Sequence, residues 1–204
     1  MGQELPGSEK GGRPMTPVRL VVSGWLAMTS ALLAIPLFLL SLRLAGVEDL
    51  VARAMEAGLM VVGTALFVYL TITLRRLLHS RYAFHDTDNA IALLIKANVV
   101  LTTVGVVGLA VPSLASSVGL FTIICLLPLG IFQAYFGLRL MRLPDEQHAL
   151  FRSYCYLNLA TGLCLALVIT APLALLLGAI TDVMLGTIFF QHGQRAKGHI
   201  PDTV

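Results

Sequence analysis

The chain has 204 residues, of which 57% are hydrophobic and only 12% charged, with a formal net charge of +3. Soluble domains carry about 25% charged residues, so an ordinary soluble domain is excluded. A nucleic-acid-binding role is excluded too, because the basic residues flank apolar runs and form no dense patch.

Several of the apolar runs reach about 18 residues, the length a helix needs to cross a hydrocarbon core of about 30 Å. Backbone polar groups inside lipid must be satisfied within the segment, which makes helices the default. The expected fold is therefore an all-α membrane protein of six transmembrane helices arranged as three tandem hairpins, with five spans as the alternative. Cys125, Cys155 and Cys164 lie in apolar segments without a CxxC motif, and read as small buried hydrophobes.

Residues 1–17 are rich in Gly, Pro and charge and are expected to form a mobile cytoplasmic tail. The apolar run from Val18 to about Leu42 is too long for a signal-peptide core and reads as a retained first helix. Residues 43–56 place Val47, Leu50, Val51 and Ala54 at helical spacing among charges, predicting a short amphipathic helix on the membrane surface. A second helix follows over about 57–74, ending at Arg75 and Arg76. The polar segment 79–89 offers Asp86, Asp88 or Asn89 to cap a third helix over about 90–112. A fourth is expected over about 118–141, with Pro128 inside it, and LPDEQH (143–148) then makes a turn. Residues 154–190 are almost continuously apolar, and Pro172 is expected to divide them into helices over about 150–171 and 174–192. Residues 193–204 form a second polar tail, leaving 18–192 as one transmembrane domain.

Aligning the chain on Pro36, Pro112 and Pro172 suggests three two-helix units. Asn98 and Asn158 stand at the same distance before the second and third prolines. Each unit closes in a segment with a small residue, aromatics and then basic residues: 62–76, 129–142 and 185–197. Six spans with the N-terminus inside put twelve of the fourteen Lys and Arg residues on the inner side, leaving Arg43 and Arg53 outside. That bias follows the positive-inside rule. The expected setting is a bacterial cytoplasmic (inner) membrane, with both termini cytoplasmic and Lys96 reaching the same side by snorkelling.

Asp182 is the costliest residue, because an acid at mid-bilayer carries an insertion cost of about 2.5–3.5 kcal/mol and must face protein or water. Gly178 and Gly186 flank it at four-residue spacing on one helical face, which invites a second helix to approach. Lys96, Asn98 and Asn158 are its candidate partners, with Thr102 and Thr161 as further neutral choices. Gly130 and Ala134 read as another close-packing face. Arg75, Arg76, Arg139 and Arg142 are candidates for anionic lipid headgroups. The histidines lie near span ends, so a haem between helices is not supported; His79, His85, Asp86 and Asp88 could in principle gather a cation on the inner face, but they match no tight metal spacing and read as a polar loop with helix caps. No phosphate loop, zinc-protease helix or nucleophile elbow is present. No catalytic residue, metal site or cofactor is therefore expected.

The functional expectation is a non-catalytic structural or accessory membrane component, surrounded by lipid, that self-associates or packs into a larger membrane complex. The alternative is a small proton- or cation-coupled carrier or channel using Asp182.

Overall fold

The computed structural model describes residues 16–44, 49–143 and 149–197. It contains six helices: α1 (Pro17–Leu44), α2 (Leu50–Tyr82), α3 (Asp88–Ala110), α4 (Ala115–Leu140), α5 (Ala149–Ala166) and α6 (Ala171–Lys197), with a single 3-10 turn at Pro112–Leu114. No strand occurs among the described residues. This is an all-α membrane fold. Five of the helices are long and apolar enough to cross a bilayer. The shorter α5 has 18 residues, about 27 Å of helix, and carries Arg152 in its first turn.

Each helix packs on its neighbours in sequence, and α6 returns to pack on α1, so the six close into a ring. Leu20 at the start of α1, Leu78 at the end of α2, Ile91 at the start of α3, Leu140 at the end of α4, Phe151 early in α5 and Phe189 late in α6 belong to one buried cluster. Helix starts and ends therefore alternate at the same end, and the helices run antiparallel in turn. We call this the basic end, because Arg19, Arg75, Arg76, Arg139, Arg142, Arg152 and Arg195 lie in or beside the helix ends that meet there. Its centre is filled by aromatic rings. Tyr82 meets Phe151 and His192 edge-on at centroid distances of 6.3 and 6.0 Å, and Phe151 lies 6.1 Å from Tyr154.

Away from that end, little is buried. Only 33% of the most apolar stretch of α6 is enclosed within the chain, and less in the other four spanning helices. Leu32 and Ile169 are 78% and 93% exposed. A surface this apolar would drive aggregation in water, and is what a lipid-facing surface requires.

Several element boundaries differ from those expected. No separate surface helix exists among the described residues of 43–56: residues 50–56 are the first turns of α2, Arg43 lies in the last turn of α1, and residues 45–48 lie outside the described residues. Arg75 and Arg76 do not end α2, which continues two turns to Tyr82 because Leu77 and Leu78 are fully buried and hold those turns in the core. Helix α4 begins three residues early, since the 3-10 turn at Pro112–Leu114 completes the reversal by itself. The tail expected from residue 193 begins later, because α6 runs on to Lys197.

Two of the three aligned prolines mark helix junctions, but Pro36 does not. It lies inside α1, eight residues before the helix ends. Pro172 is the second residue of α6, where its missing N–H is no loss. The break before it falls at residues 167–170. There Val168 adopts a left-handed φ of 50°, and the Thr170 hydroxyl donates to Cys164 O at 2.7 Å, satisfying a carbonyl at the end of α5. The expected tail 1–17 lies outside the described residues up to residue 15, as do residues 144–148 of the polar turn and residues 198–204.

Candidate functional site

Polar side chains well inside the helices pair across four helix junctions; between α1 and α2, the Ser23 hydroxyl donates to Tyr69 OH at 3.3 Å. Between α1 and α6, Ser30 Oγ donates to Asp182 Oδ2 at 3.0 Å. Between α2 and α3, Thr64 Oγ1 donates to Asn98 Oδ1 at 3.3 Å and shares a short hydrogen bond with the Thr102 hydroxyl. Between α4 and α5, Gln133 Nε2 donates to Asn158 Oδ1 at 2.6 Å, while Asn158 Nδ2 donates to Tyr154 O at 2.9 Å. Inside lipid an unpaired polar group has no water to turn to, so each pair favours its own helix–helix contact.

Asp182 thus meets a neutral hydroxyl on α1, not any of the partners expected for it. Helices α3 and α6 do not touch among the described residues, which keeps Lys96, Asn98 and Thr102 away from it. Lys96 is exposed on α3. Asn158 and Thr161, on the adjacent α5, are engaged elsewhere: the Thr161 hydroxyl donates to Leu157 O at 2.7 Å. Asp182 remains half-buried, and Ser30 supplies the hydrogen bond that the geometry gives it.

The close-packing expectation is met at three of its four positions. A Cβ on Gly130 would strike the backbone of Gly162 and Ala166, and one on Gly162 would strike the backbone of Ala134. On the other side of the ring, a Cβ on Gly186 would lie 3.0 Å from Gly24 O. Gly178 is the exception, since a Cβ there meets nothing within 4 Å. It lies nearer the start of α6, away from the buried cluster at the basic end. Gly24 and Gly162 were not singled out in the sequence. Their signal was available: each is a small residue in an apolar run, and Gly162 follows Asn158 by one helical turn.

At the basic end, Arg75 Nε donates to Asp88 Oδ1 at 2.9 Å, and His79 Nε2 lies 2.7 Å from the same oxygen. His85 Nδ1 is 3.7 Å from Asp88 Oδ2. None of Asp86, Asp88 and Asn89 caps α3. The cap position is Thr87, whose buried hydroxyl has no partner, and Asp88 places its charge in the first turn, where the helix dipole favours it. His192 is buried, with Nδ1–H donating to Ile188 O at 2.8 Å and Nε2 accepting from Tyr82 OH at 2.7 Å. Arg139 Nε donates to Tyr135 OH at 2.7 Å, and its guanidinium lies 5.1 Å from that ring centroid. Of the four arginines expected at lipid headgroups, Arg75 and Arg139 are therefore engaged within the chain, whereas Arg76 and Arg142 are exposed.

Compared with known proteins, the chain matches no family model, no curated protein and no solved structure. The geometry has to speak for itself.

Proposed function

We propose that this chain is a non-catalytic, multi-pass structural or accessory protein of the bacterial cytoplasmic membrane, which associates with itself or packs into a larger membrane complex. The observation that carries the reading is the pairing of Ser30, Thr64, Asn98, Gln133, Asn158 and Asp182 with one another at the helix junctions. Polar groups used in this way hold helices together rather than line a path. Open small-residue surfaces support association: a Cβ on Gly58, Gly63 or Gly178 meets nothing within 4 Å, leaving room for a helix from another chain. The basic end faces the cytoplasm in this reading, in keeping with its arginines, and Arg76 and Arg142 meet lipid headgroups there.

Three of the four ties fall between the hairpins α1–α2, α3–α4 and α5–α6, and one, Ser23 with Tyr69, falls within the first. That bias favours descent from a repeated hairpin, although Pro36 does not take the place of Pro112 and Pro172, and Ser23–Tyr69 has no counterpart among the described ties of the other hairpins.

One observation favours a second reading, the proton- or cation-coupled carrier or channel. Asp182 is a half-buried carboxylate tied to a neutral hydroxyl instead of a cation, which leaves it free to exchange a proton or ion.

Asp182→Asn and Asp182→Leu in the purified full chain separate the two. Asparagine keeps an acceptor for Ser30, so assembly in detergent and unfolding temperature are expected to survive it, while leucine weakens both. Ser30→Ala should resemble leucine, with a loss of about 0.6–1.7 kcal/mol, the range measured for interhelical hydrogen bonds in membranes. Loss of pH-dependent ion flux from proteoliposomes on the asparagine change would sink the structural reading in favour of the carrier. If leucine leaves stability untouched, the tie itself is wrong.

A further inference from the structure

The reversal between α2 and α3 brings together two imidazoles and a carboxylate that sequence spacing alone did not pair as ligands. His79 comes from the last turn of α2, His85 from the connecting turn and Asp88 from the first turn of α3. Their candidate ligand atoms all lie within 4.8 Å of one another. The two imidazole centroids are 4.2 Å apart. We propose that His79, His85 and Asp88 form a binding site for a divalent transition-metal ion of the zinc class at the basic end of the ring.

Nitrogen and oxygen ligands about 2.0–2.2 Å from zinc stand about 3.3 Å apart when tetrahedral. Separations in the set run from 2.7 Å up to a limit of 4.8 Å, on both sides of that value. His79 Nε2 is 2.7 Å from Asp88 Oδ1, and His85 Nδ1 is 3.7 Å from Oδ2. The two imidazoles face opposite oxygens of the carboxylate, so taking up one ion between them requires the side chains to rotate around it. The backbone already holds the donors in place. Ala83, at a left-handed φ of 47°, ends α2 with its N–H on Leu78 O, and Asp88 N–H donates to His85 O at 3.0 Å.

The donor chemistry sets the class of ion. Two imidazole nitrogens with one carboxylate suit zinc, cobalt or nickel, whereas magnesium and calcium prefer all-oxygen sets. A fourth position stays open to water or to a ligand from another molecule. Side-chain exposures of 30% for His79, 66% for His85 and 25% for Asp88 allow entry from the aqueous side without opening the bundle. Arg75 acts in both directions. Its guanidinium orients Asp88 as an outer-shell partner, and its charge opposes a dication and moderates the affinity.

The rival account is a plain ion-pair clamp of Arg75 and His79 on Asp88. His85 separates the two, because it is the most exposed of the three and the farthest from the carboxylate. A metal site needs it, and a clamp does not. The test is a titration of the full chain, without a histidine tag and stripped by a chelator in detergent. Co2+ is added and its visible absorption followed, then displaced with Zn2+. The expected result is saturable binding of one ion per chain, with Zn2+ raising the unfolding temperature. His85→Ala is expected to weaken binding by about tenfold or more, while leaving the metal-free unfolding temperature unchanged, and Asp88→Asn should lose binding as well. No saturable cobalt absorption in the parent chain overturns the proposal, and so does binding that persists undiminished in His85→Ala.

Discussion

Val168 shows how a single residue can set a helix boundary at some expense. It is β-branched, yet it sits at φ 50°, where an L-residue with a Cβ carries about 1–2 kcal/mol of steric strain. The conformation persists because neighbouring hydrogen bonds enforce it. Val168 N–H donates to Leu165 O and the Thr170 hydroxyl to Cys164 O, which satisfy carbonyls in the last turn of α5. Glycine adopts this backbone without strain but loses more freedom on folding. Val168→Gly is therefore expected to stabilise the chain by a net ~0.5–1 kcal/mol, seen as a higher unfolding temperature in detergent. An unchanged or lower temperature would mean that the turn is held differently.

Among helices, packing follows the size of side chains more than their hydrophobicity. Leucine and lipid tails are equally oily, so helices gain little by exchanging one for the other and associate where backbones can approach. The α4–α5 junction does this through Gly130 and Gly162, whose added Cβ atoms would meet the backbone of the facing helix, that of Ala134 included. Gly162→Ala should accordingly destabilise the fold by about 1–3 kcal/mol, the usual effect of overpacking. Gly178→Ala, in open space, should be neutral or stabilising by up to about 1 kcal/mol through helix propensity. Parallel unfolding of the two variants in detergent checks the contrast. Equal effects would contradict the assigned interfaces. Both glycines look alike in the sequence, each embedded in apolar residues, because helical spacing identifies a face without saying what lies opposite it.

For the whole molecule, alternating helix direction and ring closure by α6 on α1 collect most of the arginines at one end, and the reversals at Pro112–Leu114 and residues 167–170 at the other with Arg43 and Arg53. With the basic end cytoplasmic, a cysteine replacing exposed Ser80 should react with an impermeant maleimide only after the cytoplasmic face is opened. One replacing exposed Ser113 should react in intact cells. Both are made in a background where Cys125, Cys155 and Cys164 are replaced. The reverse labelling pattern would invert the orientation, and labelling of both positions from one side would break the antiparallel ring.

Composition and patterning by themselves determined the all-α membrane class of the protein and the existence of a basic end. These depend on the free energy of placing side chains in water or hydrocarbon, which every residue carries wherever the chain goes. Helix ends were less legible. Arg75 and Arg76 looked like a terminus because they are charged, but the burial of Leu77 and Leu78 beyond them extends α2, and burial is a property of neighbours. Tertiary structure alone decided that Asp182 meets Ser30 instead of Lys96, that Gly162 packs where Gly178 does not, and that His79, His85 and Asp88 converge. Each of those contacts joins separate helices or spans a chain reversal. Only the closure of the ring and the geometry of its turns bring such residues within hydrogen-bonding reach.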